Sequence, residues 1–133
     1  MSRPLYHPER DQISLPAVLD AMSDPTRLAI VLYLDRVGES VCGALTPWAS
    51  KTSLSYHFAR LREAGITQSR IEGTYRRISL RRDDLEARFP GLLPQLIDAA
   101  KQDPAIAALE DMVAHQDGPA AEPRRKAARP RAK

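Results

Sequence analysis

The chain has 133 residues, a single cysteine, 43% hydrophobic residues and a formal net charge of +3. That length supports one compact domain with a modest core, and a lone cysteine excludes an internal disulfide. No run approaches the roughly 20 apolar residues of a bilayer-spanning helix, and MSRPLYHPERDQ lacks the apolar stretch of a secretory signal, so a cytoplasmic protein without a membrane partner is expected.

Residues 1–12 carry no periodic apolar pattern and read as a flexible N-terminal arm, ahead of a domain over 13–116. Leu15, Val18, Leu19 and Met22 then define a short amphipathic helix. Ser23-Asp24-Pro25 closes it and opens another, with Asp24 as the cap and Pro25 in the first turn. The run from Leu28 to Leu34 is apolar on almost every side, which marks the buried spine of the domain. Cys42 has no base or cation among its immediate neighbours and reads as a small core thiol, and Trp48, after the helix-bending Pro47, reads as packing.

The most informative stretch is SKTSLSYHFARLREAGITQSRIEGTYRRISL, Ser50 to Leu80. Ser50 or Thr52 caps a helix of about four turns that meets no proline or glycine before Gly65. Leu54, Phe58 and Leu61 form its apolar stripe, leaving Ser53, Ser55, Tyr56, His57 and Arg60 on other faces. Hydroxyls, an imidazole and a guanidinium, with no acid between Lys51 and Arg62, suit phosphate oxygens and base edges in a major groove. Gly65 fits the left-handed end of this helix, and the alternation from Gln68 to Glu72 and from Tyr75 to Leu80 around Glu72-Gly73-Thr74 predicts a hairpin held on the core by Ile71, Ile78 and Leu80.

Downstream, Arg82-Asp83-Asp84-Leu85 starts a short helix, Pro90-Gly91 interrupts it, Leu92 to Ala100 resumes, and Asp103-Pro104 begins a last helix carrying Ile106, Leu109, Met112 and Val113. Asp111 and His115 share a face of that helix, but two ligands are too few for a tight site, so no metal and no cofactor are expected. Residues 117–133 hold six Lys/Arg, two acids, three prolines and no large apolar side chain, the composition of a disordered basic tail.

Charge is segregated along the chain. Residues 51–82 carry eight Lys/Arg against two acids, whereas 1–50 and 83–116 together carry six against thirteen. A basic helix-hairpin unit in an otherwise acidic domain points to a polyanionic partner, above all double-stranded DNA. The fold class expected is therefore mainly α with a small β-hairpin wing, a winged helix-turn-helix. Its terminal helices expose more apolar surface than the small fold covers, which predicts a homodimer through Leu15, Val18, Leu19, Ile106, Leu109, Met112 and Val113. A protein-interaction module that docks its basic face on an acidic partner without reading DNA is the competing class. An enzyme is not expected, because no nucleophile has an adjacent base and no glycine loop cradles a phosphate.

With LDAMSDPTRLAIVLYL at 19–34, SKTSLSYHFARLREAGI at 50–66 and IEGTYRRISL at 71–80, the chain resembles the ArsR-like family of bacterial winged-helix repressors over about Leu15 to Leu93. The resemblance implies a homodimeric repressor at an inverted repeat, released by an effector that the sequence does not identify. It also implies DNA contacts from Lys51, Thr52, Ser53, Ser55, Tyr56 and His57 on the reading helix and from Arg70, Thr74, Arg76 and Arg77 on the wing. The Cys-x-Cys pair of the family's well-known metal sensors is replaced here by Val41-Cys42-Gly43, so soft-metal sensing through that segment is not expected.

Overall fold

A computed structural model describes residues 5–41 and 51–117, apart from the side chains of residues 51, 52 and 113–117. The expectations placed on Cys42, Pro47, Trp48 and most of the basic tail lie outside the described residues, as do the side chains of Lys51, Thr52, Val113 and His115. Among the described residues the helices are α1 (Leu15–Ala21), α2 (Pro25–Val37), α3 (Lys51–Glu63), α4 (Arg82–Arg88), α5 (Leu92–Lys101) and α6 (Pro104–Asp117). The strands are β1 (Glu39–Val41), β2 (Thr67–Glu72) and β3 (Tyr75–Leu80). No helix among the described residues is long and apolar enough to cross a membrane.

Local chemistry sets the helix starts. The Ser14 hydroxyl accepts from the Ala17 amide at 3.2 Å, and the Asp24 carboxylate accepts from the Arg27 amide at 3.1 Å, each satisfying a first-turn donor that the helix itself leaves open. The spine is as the apolar run predicts: Ala29 to Leu34 are all buried, and α2 packs against α3, α5, α6 and β3. Leu54, Phe58 and Leu61 of α3 enter the same core.

The hairpin is part of a three-stranded antiparallel sheet of order β1-β3-β2, with Ser40 opposite Ile78 and Ser69 opposite Ile78 on the other side. A strand of three residues is too short to show alternation, so β1 leaves no signal in the sequence. Glu72 pairs with Tyr75, which makes the turn two residues, Gly73-Thr74, and Gly73 has the φ of +61° that such turns require.

One expectation needs correction, and the positions of the residues add detail to two others. Ile78 and Leu80 hold the hairpin on the core, but Ile71 is 47% exposed. It lies on the core side of the sheet, in line with Thr67 and Ser69, at a point where the hairpin has already outrun the helices beneath it.

The dimerisation set also divides. Val18 is buried with Ala21 and Met22 inside the subunit, as is Ile106, and among the described side chains of the set only Leu15, Leu19 and Met112 are strongly exposed. Leu109 is partly buried against the core. A two-turn helix has room for one inward face, and in α1 that face is Val18 and Ala21, while Leu15 and Leu19 project one turn apart on another.

Finally, residues 5–12 are bound to the domain. The Arg62 guanidinium donates to the Tyr6 carbonyl at 3.0 Å and Arg81 to the Pro8 carbonyl at 2.8 Å. Arg10 pairs with Asp84 at 2.7 Å, and Arg10–Gln12 form a 3-10 turn. The sequence hides this docking because it uses backbone carbonyls and side-chain charge in place of an apolar stripe.

Candidate nucleic-acid interface

Helix α3 and the wing are joined by a short link. Helix α3 ends at Glu63, and Gly65 turns the chain with φ +87°. A Cβ on Gly65 would stand 2.6 Å from Ile13 Cγ1, so the residue is required both by its backbone angle and by the close approach of Ile13. Two residues later β2 begins, which fixes the wing close to the C-terminal end of α3.

On α3 the expected contact residues fall into three groups. Ser55 and Tyr56 are exposed, Tyr56 at 57%, and Ser53 is half-buried. Arg60 is engaged within the subunit: it forms an ion pair with Asp20 of α1 and lies 6.0 Å from the centre of the Tyr56 ring. His57 is turned inward. Its side chain is only 12% exposed, and its Nδ1 stands 3.1 Å from an Arg27 guanidinium nitrogen and 3.9 Å from an Asp24 carboxylate oxygen. A guanidinium can only donate, so Nδ1 accepts and the ring is neutral with its proton on Nε2. Burial pushes the imidazole below the ordinary histidine value; Asp24 opposes that shift and Arg27 adds to it. The expectation of His57 on the free face is therefore corrected: it sits at the margin between the buried stripe and the exposed side.

On the wing, Thr74 occupies the turn, and Ile71 and Tyr75 are exposed beside it. Arg70 pairs with Glu39 of β1 at 2.9 Å and with Glu72 at 3.3 Å, and Arg77 Nε donates to Glu72 Oε1 at 2.7 Å. Glu39 and then Glu72 raise Arg70 further above its already high value, while Arg77 and then Arg70 hold the Glu72 carboxyl below the usual carboxylate range. Arg76 has no carboxylate partner among the described residues, and it shares the core side of the wing with Ile71, its partner across the strands.

The segregation of charge along the sequence is thus largely answered in space. Of the cations in 51–82, Arg60, Arg70, Arg77, Arg81 and Arg82 each meet an acid, namely Asp20, Glu39, Glu72, Asp84 and Asp35. Apart from that of Arg81, whose side chain is largely buried, these pairs lie at the surface and orient side chains more than they stabilise the fold. Phosphate can displace a partner held that weakly. No group of three or more His, Cys, Asp or Glu side chains among the described residues is placed to hold a metal ion.

A helix that exposes Ser55 and Tyr56, set beside a hairpin that carries arginines, is the architecture of winged helix-turn-helix proteins. No protein-family model matches the chain. It is 39% identical over 82 residues to YceK of Bacillus subtilis strain 168, an uncharacterized HTH-type transcriptional regulator, in a match that spans 59% of this chain and 82% of that protein. The chain belongs to the HTH-type transcriptional regulators, which act by binding DNA and not by catalysing a reaction.

Proposed function

We propose that the protein is a homodimeric repressor of the ArsR-like type, which reads an inverted repeat through α3 and the wing and leaves it when an effector binds. The observation that carries this reading is the placement of Ser55 and Tyr56 on the exposed side of a helix whose Leu54, Phe58 and Leu61 are buried in the core, next to a wing ending in Thr74 and Arg76. Base contacts fall to Ser55 and Tyr56, with Lys51, Thr52 and Ser53 at the start of the helix. Backbone contacts fall to Thr74, Arg76, Arg70 and Arg77, the last two after exchanging their carboxylate partners, Glu39 and Glu72, for phosphate.

The dimer surface in this reading is narrower than the periodicity suggests. It is centred on Leu15 and Leu19 of α1 and on Met112 of α6, which together expose apolar surface that one subunit leaves uncovered. Two-fold symmetry then sets two copies of α3 about one DNA turn apart, roughly 34 Å. The domain runs from Ile13 to 116, the arm is a docked strap, and the basic segment 117–133 adds nonspecific affinity for DNA.

Sedimentation of the full-length protein tests the reading. The wild type is expected to be a dimer at micromolar concentration, and the pair Leu15→Glu and Leu19→Glu to give a folded monomer that binds DNA at least about 10-fold more weakly. A wild-type monomer that binds DNA as tightly as before would contradict it.

A further inference from the structure

Arg27 is a buried arginine, 7% exposed, in the first turn of α2. No carboxylate pairs with it among the described residues. Its Nε instead donates to the carbonyl of Ala21, the last residue of α1, at 2.6 Å, and its NH1 faces His57 Nδ1 in the middle of α3 at 3.1 Å. One side chain therefore joins three helices by directional bonds. Burying a cation is costly, and a contact between helices needs none, since Leu54, Phe58 and Leu61 already bury the inner face of α3. What apolar contacts do not supply is a fixed angle, because they have no direction. A helix changes its outward residue with every 100° or so of rotation, so a small rotation of α3 would exchange the exposed Ser55 and Tyr56 for their neighbours.

We propose that Arg27 is the positioning residue of the reading helix: anchored on the Ala21 carbonyl, it grips the His57 ring by Nδ1 and sets the rotation of α3 against the corner between α1 and α2. This inference rests on α3 being the helix that reads DNA. His57 is then a handle, and selectivity for a DNA sequence depends on its ring nitrogen even if the ring touches no base. The charged and titratable groups facing the ring, among the described residues, are Asp24 and Arg27 from that corner and Tyr56 from its own helix, the two rings 5.4 Å apart. A proton added to His57 goes to Nδ1, where it points at the Arg27 guanidinium and breaks the grip.

The test uses the full-length protein, a duplex selected by the wild type from a random library, and an unrelated duplex of equal length at the same salt. His57→Asn keeps an acceptor at the place of Nδ1, His57→Phe keeps a ring without one, and Arg27→Met removes the donor. Wild type and His57→Asn should prefer the selected duplex to within about 3-fold of each other, and His57→Phe and Arg27→Met should lose at least about 10-fold of that preference, with binding to the unrelated duplex unchanged. Wild-type preference should decline as the pH falls below the ordinary histidine value, and the Asn variant should not follow it. Nitrogen-15 spectra of the wild-type imidazole should show Nδ1 unprotonated at neutral pH, a readout that needs no variant to fold.

Equal loss in His57→Asn and His57→Phe would make the ring itself the DNA contact and overturn the positioning role. So would unchanged preference in His57→Phe, or a proton found on Nδ1. A wild type that selects no sequence at all would instead overturn the assignment of α3 as the reading helix.

Discussion

The His7 ring bridges the N-terminal strap and the wing: Nε2 accepts from the Ser69 amide at 3.0 Å, and Nδ1 donates to the Leu5 carbonyl at 3.1 Å. Ser69 lies on β2, an edge strand of the sheet, whose edge the ring covers where a neighbouring strand would otherwise pair. This arrangement needs a neutral ring. Burial lowers the affinity of His7 for a proton, its bond to the Leu5 carbonyl raises it, and the nearby Arg62 and Arg81 lower it further, with a net depression. A base whose folded value is depressed contributes stability that is complete above its unfolded value, about 6.5, and is lost as the pH falls through the folded one. Hydrogen-exchange protection of the Ser69 amide is therefore expected to be high at pH 7.5 and to drop below pH 6, while protection within α2 stays constant. Protection of Ser69 that is flat across this range would show that the strap is held without the ring.

Gly65 is expected to be the least replaceable glycine of the wing connection. In Gly65→Ala the new methyl meets Ile13 at 2.6 Å and the backbone retains φ +87°, two penalties that together come to about 2–4 kcal/mol of stability. Gly73→Ala meets nothing within 4 Å and has only its φ of +61° to bear, so its cost is about 1 kcal/mol. Urea denaturation of the two variants measures the difference. Trimming Ile13 in the Gly65→Ala background should recover part of the loss, and no recovery would place the penalty in the backbone alone.

Glu72 holds the two wing arginines that the proposed interface gives to phosphate. Glu72→Gln keeps the shape and removes the charge, so Arg77 meets DNA without first leaving a carboxylate, while Arg70 keeps Glu39. Affinity at about 50 mM salt is expected to rise several-fold, equally for all sequences, and the log-log salt slope to steepen by about 1, since each phosphate contact contributes close to 0.9. An unchanged slope would mean that Arg77 does not reach the backbone.

The helix, its glycine terminus and the hairpin are legible from Ser50 to Leu80 because each signal is local: a stripe of Leu54, Phe58 and Leu61, a left-handed Gly65, and a turn around Glu72-Gly73-Thr74. The same locality explains what was hidden. Arg60 meets Asp20, Arg70 meets Glu39 and His57 meets Arg27 only after the chain has folded back, so a basic stretch in the sequence does not become an equally basic surface. Periodicity also cannot tell which apolar residues of a two-turn helix face inward, which is why Val18 joined Leu15 and Leu19 on paper and parts from them in the fold. The strap had no apolar signal to follow. Its one legible clue was His7, a residue able to answer a strand-edge amide.

The central claim, that the exposed side of α3 reads bases, is tested most directly by selecting duplexes from a random library with the wild type and with Ser55→Ala and Tyr56→Phe. The wild type should recover an inverted repeat with half-site centres about 10 base pairs apart. Each variant should relax preference at one or two positions, repeated symmetrically in both halves and amounting to about 1–3 kcal/mol per position. The same consensus from all three proteins, at undiminished preference, would contradict the account and move sequence reading to another part of the molecule.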